Sequence, residues 1–141
     1  MTVDLDKVRQ KLQYIRSELR DLKEFGSIDE EAFLAHRHYP AAATRMLQVA
    51  IEAMLDLCAH ITAREGWGLP KSYKEVVLLA AEHGLIPKEL LENFLALARF
   101  RNRVVHLYDE VSDREVLQFI KQHLNDFSLF VTRVIERYLP G

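Results

Sequence analysis

Arg99, Arg101, Asn102, Arg103, His106 and Tyr108 crowd into Ala98-Arg99-Phe100-Arg101-Asn102-Arg103-Val104-Val105-His106-Leu107-Tyr108-Asp109. Guanidinium, imidazole and amide side chains together suit phosphodiester cleavage without a metal. An imidazole that titrates near neutral pH takes a proton from a ribose 2′-OH or gives one to the leaving oxygen. A guanidinium holds the phosphate and stabilises charge building on its oxygens. The residue types alone do not compel this reading. A lone histidine at a helix end is more often a cap or a satisfied core group, and arginines in a row usually form a solvated face.

The other chemistries lack their residues. There is no glycine-rich phosphate loop, no pair of Cys-x-x-Cys units and no readable serine triad. The histidines are scattered. His36 and His38 are two apart, so a helix would point them to different sides, and His60, His83 and His123 stand alone. We expect no metal site and no cofactor.

The arginine-rich stretch reads as a helix, in which each residue advances about 100°. Leu90, Phe94, Leu97, Ala98, Val104, Val105 and Tyr108 then form one apolar stripe with Arg101 in its middle. Arg99, Asn102, Arg103 and His106 gather on the other side. A guanidinium on an apolar face must snorkel, pair with a carboxylate or face a pocket. Arg101 and His106 are about 140° apart on a straight helix. To act on one group they need a helix that ends or bends between them, or a second subunit that completes the site.

The rest of the chain reads as helix. Leu5, Val8, Leu12, Ile15, Leu19 and Leu22 make a heptad-like seam, packed inside a bundle or against another chain, and Gly26 suits its end. A second helical region runs from about Asp29 to Arg64, kinked or divided at Tyr39-Pro40. From Ala41 to Ile61 it is apolar except for a narrow line of Arg45, Gln48, Glu52, Asp56 and His60. Such a helix is central to a bundle or shared with a partner. Glu52 and Asp56 either meet an inward arginine or form a solvated edge. Gly66, Gly68 and Pro70 mark a loop whose Trp67 covers a core edge or stacks on a base. Ser27/Glu30, Ser72/Glu75 and Ser112/Glu115 have the spacing of capping boxes. A short helix ends near Gly84, Pro87 suits the first turn of the fourth, and the last helix, opened by Ser112, carries apolar residues from Val116 to Tyr138. This predicts a single all-α domain over residues 1–141, an up-and-down bundle of about five helices.

Composition narrows the setting. The chain has 141 residues, 49% hydrophobic and 28% charged, typical of one folded domain. Nineteen basic against 21 acidic residues give a net charge of −2, so RNA contact must come from a local patch. Cys58, the single cysteine, reads as a buried structural thiol. The N-terminal residues do not read as a signal peptide, and no run of about eighteen apolar residues predicts a membrane span. A reducing, cytoplasmic setting is expected.

Arg101-Asn102-Arg103-Val104-Val105-His106-Leu107-Tyr108 resembles the signature of the HEPN superfamily, and specifically of the HepT-like toxins: arginine, four residues of which the first is usually polar, histidine, one residue, tyrosine. Leu47-Gln48-Val49-Ala50-Ile51-Glu52-Ala53-Met54-Leu55-Asp56 is similar to the family's second conserved helix. The order and lengths of the helices also fit, so the resemblance covers nearly the whole chain. The wider pattern allows four to six intervening residues, which admits Arg99. The asparagine directly after it favours Arg101.

The resemblance implies a metal-independent endoribonuclease, the toxin of a toxin–antitoxin pair. It implies a homodimer with the motifs in a cleft between subunits, which answers the angular problem above. The implied antitoxin is a minimal nucleotidyltransferase of the MNT type that adds AMP to Tyr108. In that reading Arg101, Asn102 and His106 are catalytic, and Arg99 and Arg103 add positive charge for RNA. Two alternatives remain open at this point. One is a non-catalytic helical subunit that binds the nucleotidyltransferase. The other is a structural dimer whose arginines pair with Glu52 and Asp56. Core packing is the competing role for Tyr108.

Overall fold

Residues 2–141 are described by a computed structural model. Among them, six α-helices follow one another without a strand: α1 (Leu5–Gly26), α2 (Glu30–Ala35), α3 (Tyr39–Glu65), α4 (Tyr73–Glu82), α5 (Leu91–His106) and α6 (Asp113–Tyr138). Single 3₁₀ turns at Lys88–Leu90 and Tyr108–Glu110 lead into α5 and α6. Of the two outcomes expected at Tyr39-Pro40, a kink or a division, the chain is divided, into α2 and α3, so the count is six rather than about five. Pro40 has no N–H to continue a helix from α2, but it sits comfortably in the first turn of α3.

Local chemistry sets the ends. Asp4 caps α1, its Oδ1 accepting from the backbone N–H of Asp6 at 3.1 Å and of Lys7 at 3.2 Å. Ser72 and Ser112 cap α4 and α6 by accepting from the N–H of Glu75 and Glu115. Neither forms the expected full box, because the glutamates turn elsewhere: Glu75 accepts from the N–H of Lys71, and Glu115 holds Arg103. Ser27 is not an N-cap. Its hydroxyl donates to the Glu24 carbonyl at 2.7 Å and closes α1. Gly26 does not stop α1 through a left-handed turn. It is the last helical residue, and a Cβ there would meet Ile120 Cγ2 at 3.3 Å, so its small size lets α1 lie on α6. Gly66, with φ of 71°, supplies the left-handed turn that ends α3.

α3 is the centre of the bundle, packed by α1, α4, α5 and α6. By length and apolarity alone it could cross a membrane, but 56% of its most apolar window is buried by its neighbours. α1 runs antiparallel to it: Arg64 reaches the Thr2 carbonyl at one end, and Phe25 packs edge-on against Tyr39 at the other. α6 runs parallel, with Arg114 on Glu30 at its start and Tyr138 on Glu65 at its finish. The core is filled by large side chains such as Phe33, Leu47, Met54, Phe94, Phe127 and Phe130, all fully buried. Cys58 lies among them, and burial pushes its thiol up, so it stays protonated and inert.

Candidate active site

α5 presents Phe94, Leu97, Ala98, Phe100 and Val104 to the core. This differs from the expected stripe at its C-terminal end. Phe100 is buried because it stacks on Phe119 of α6, ring centroids 4.2 Å apart. Val105 and Tyr108 are turned out, 40% and 60% exposed. Tyr108 does not pack in the core, because α5 ends at His106 and the chain turns into the 3₁₀ segment.

Arg101 does sit at the edge of the buried face, and it finds a carboxylate. Its Nε donates to Glu52 Oε2 of α3 at 2.8 Å, with the two side chains 20% and 25% exposed. The same oxygen accepts from Gln48 Nε2 at 3.4 Å. Arg101 Nη1 donates to Asn102 Oδ1 at 3.3 Å, and its Cζ stands 5.1 Å from the centre of the Tyr73 ring. Tyr73, at the start of α4, donates its hydroxyl to Asp56 Oδ1 at 3.1 Å. Burial pushes the Tyr73 phenol up. The charge and hydrogen bond of Asp56 add to this and Arg101 opposes it, so the phenol remains a donor. The polar line of α3 is therefore divided: Glu52 meets Arg101, whereas Asp56 serves Tyr73.

This arrangement pre-orients a guanidinium. A partly buried charge is tolerable because a carboxylate, an amide oxygen and an aromatic face surround it. The hold on Nε leaves Nη2 without a partner among the described residues, free for an anionic oxygen. Asn102 touches the arginine itself and so fixes its plane.

Arg103 is differently engaged. Its Nη1 and Nη2 both reach the Glu115 carboxylate, and Nη2 also donates to the Glu110 carbonyl at 3.2 Å. It ties the end of α5 to the start of α6. Arg99 is exposed and has no ion pair among the described residues. His106 is the last residue of α5, exposed, with no side-chain hydrogen bond among the described residues. α5 is continuous from Arg101 to His106, so no bend brings the two together within one chain.

The histidines expected to stand alone have partners elsewhere. His123 pairs with Asp126 inside the bundle at 2.9 Å, His60 accepts from the Asp4 N–H at 3.2 Å, and His83 stacks flat on Trp67. Trp67 thus packs within the chain. His36 and His38 lie in the link between α2 and α3, not on a helix, and His36 stacks on Tyr39. Tyr73 is the site residue that the sequence did not reveal. Ser72 marked it as the first residue of a helix, and nothing local said that its ring would lie under Arg101.

Comparison with known proteins matches these features. Residues 15–134 fit the model of the family described as Ribonuclease HepT-like. An mRNA nuclease HepT from Shewanella oneidensis is 33% identical over 85 residues, 60% of this chain and 64% of that protein, just under two thirds of its length. A tRNA nuclease HepT from Aphanizomenon flos-aquae is 26% identical over 132 residues, 94% of this chain and 89% of its own. Among solved structures, the tri-AMPylated Shewanella oneidensis HEPN toxin in complex with MNT antitoxin is similar with a TM-score of 0.84 at 25% identity, covering 93% of this chain and 98% of that one. A helical bundle that clamps the arginine of an Arg-x4-His-x-Tyr motif, matched along most of its length, is thus placed among known relatives: the chain belongs to the HepT-like ribonuclease family.

Proposed function

We propose that this chain is an RNA endonuclease, the toxin of a toxin–antitoxin pair, acting as a homodimer. The observation that carries this reading is the clamped Arg101 five residues before an unengaged His106, inside a family match that spans both. Arg101 holds the scissile phosphate through its free Nη2 edge. Asn102 holds the guanidinium through Nη1, and Glu52 holds it through Nε. His106 takes the proton from the 2′-hydroxyl or gives one to the departing 5′ oxygen. An O2′–P bond forms as the P–O5′ bond breaks. The chemistry runs through side-chain proton transfer and is independent of metal.

Homodimerisation supports the geometry, since a continuous α5 keeps Arg101 and His106 about 140° apart. Two copies meeting along α5 gather both groups into one cleft. Val105 and Leu107, 40% and 49% exposed, give that meeting an apolar surface. The partner antitoxin is an MNT-type nucleotidyltransferase. Tyr108 is its target, because the side chain is 60% exposed and its hydroxyl has no partner among the described residues. Arg99 adds charge for RNA. Arg103 contributes to RNA binding only if its pair with Glu115 opens.

His106→Ala and Arg101→Ala should each lower RNA cleavage by about a thousandfold while retaining the parent's helical circular dichroism. Unchanged cleavage in either variant would refute the assignment. Intact binding of the nucleotidyltransferase, with no cleavage even by the parent, would favour a non-catalytic partner subunit.

A further inference from the structure

α1 and α3 do not close on each other along their whole length. Between them lies a groove of about 380 Å³, with Gln10, Lys11 and Tyr14 on the α1 side and Arg45, Glu52 and Asp56 on the α3 side. Its volume falls in the range of small-ligand sites. Glu52 lines this groove and also bonds Arg101, so the groove adjoins the clamped guanidinium.

The charges in the groove are unequally committed. Glu52 is already bound by Arg101, and Asp56 accepts from Tyr73. Lys11 and Arg45 form no ion pair among the described residues. Glu18 is close enough to feel the charge of Arg45 but is not bonded to it. The groove therefore offers two free cations and two occupied acids. Tyr14, 50% exposed, supplies an aromatic face at the rim, and the nearly buried Ala53 leaves a shallow apolar floor. Arg45 and Glu52 are two turns apart on α3, about 10 Å along its axis, or about three stacked nucleotides at 3.4 Å each.

We infer that this groove is a subsite for a nucleotide of the RNA strand flanking the one held by Arg101. Lys11 and Arg45 contact backbone phosphate, Tyr14 stacks on the base, and Gln10 meets its polar edge. This rests on the ribonuclease reading above. It also gives a role to Arg45, the one member of the polar line of α3 without a partner among the described residues.

The test uses the full-length His106→Ala chain, which binds RNA without cutting it, and a short labelled single-stranded RNA read by fluorescence anisotropy over a salt series. Adding Lys11→Glu with Arg45→Glu should lower the log–log salt slope by about 1.4, at about 0.7 for each lost phosphate contact on a single strand. Tyr14→Ala should weaken binding about tenfold, whereas Tyr14→Phe should not. Lys88→Glu, remote from the groove, should leave both readouts at the His106→Ala values. A salt slope unchanged by the double charge reversal overturns the subsite, even where the parent cleaves RNA normally. An affinity loss accompanied by a changed sedimentation mass also overturns it, by making the groove a subunit seam. Absence of both RNA binding and parent cleavage overturns the ribonuclease reading and the subsite with it.

Discussion

Arginine serves opposite purposes in two regions of this bundle. Where α6 finishes, Arg133 and Arg137 donate to the carbonyls of Gly84 and His83 and so close the end of α4. Arg137 also lies 5.1 Å from the Trp67 ring centre, and Arg64 nearby reaches the Thr2 carbonyl. These guanidinia satisfy backbone oxygens that helix ends and loops leave bare. In the C-terminal half of α5, Arg101 instead ends on a carboxylate, an amide and an aromatic ring, and Nη2 remains free. Arg103, two residues on, also ends on a carboxylate, but both of its Nη atoms are spent on Glu115, and Nη2 on the Glu110 carbonyl as well. A crowd of arginines does not mark a site; a held guanidinium with an unused donor edge does.

Substitution by lysine should separate the two uses most sharply. An ammonium is a point charge without the planar fork, so Arg101→Lys cannot hold Glu52 and present a second donor edge in fixed geometry. We expect cleavage to fall about a hundredfold, the usual cost of losing one oriented donor, with the melting temperature little changed. Parent-like kcat/KM in Arg101→Lys would erase the distinction drawn here.

Arg137→Ala should do the reverse. It removes a 2.7 Å charged hydrogen bond to the His83 carbonyl and the contact over Trp67. On an exposed side chain this costs about 1 kcal/mol, measured as a urea midpoint shift, with cleavage within about twofold of the parent. Arg103→Ala should likewise give only a modest stability loss, since its carboxylate partner is about a third exposed. A large loss of RNA affinity in Arg103→Ala would instead move this residue to the functional group.

These contrasts also mark what could be read from the sequence. The apolar α3, its end at Gly66 and its start beside Pro40 are local signals, and each corresponds to an observed feature. Glu52 was legible as a candidate because it interrupts an apolar helix. The Tyr73 ring beneath Arg101 was not legible, because α4 and α5 meet only through tertiary packing. Glu115 misled in a useful way: its spacing from Ser112 reads as a capping box, but an arginine on the neighbouring helix outcompetes the serine N–H. Phe100, outside the expected stripe, is buried, and Val105 and Tyr108, on it, are exposed, for a similar reason. The 100° periodicity assumes that the helix continues, and it says nothing of where α6 lies. The angle between Arg101 and His106 follows from their spacing alone, and a continuous α5 does not remove it.

The smallest effect concerns pH, and it tests whether the two regions titrate independently. His60 Nε2 accepts from the backbone N–H of Asp4, the residue that caps α1. That bond needs a neutral imidazole. Burial, followed by the charges of Lys7 and Arg64, holds the His60 pKa below its ordinary value, with Asp4 opposing them. The unfolded chain therefore binds the His60 proton more readily than the folded one. The resulting stability is complete above the unfolded value of about 6.5 and is lost as pH falls from there through the folded value. Urea midpoints of the parent should decline through that window relative to His60→Gln, by well under about 1 kcal/mol since the ring keeps access to water. The pH profile of RNA cleavage should be the same in both proteins, because the proton transfer proposed above is at His106. A cleavage profile shifted by His60→Gln would show that the two regions are coupled through α3.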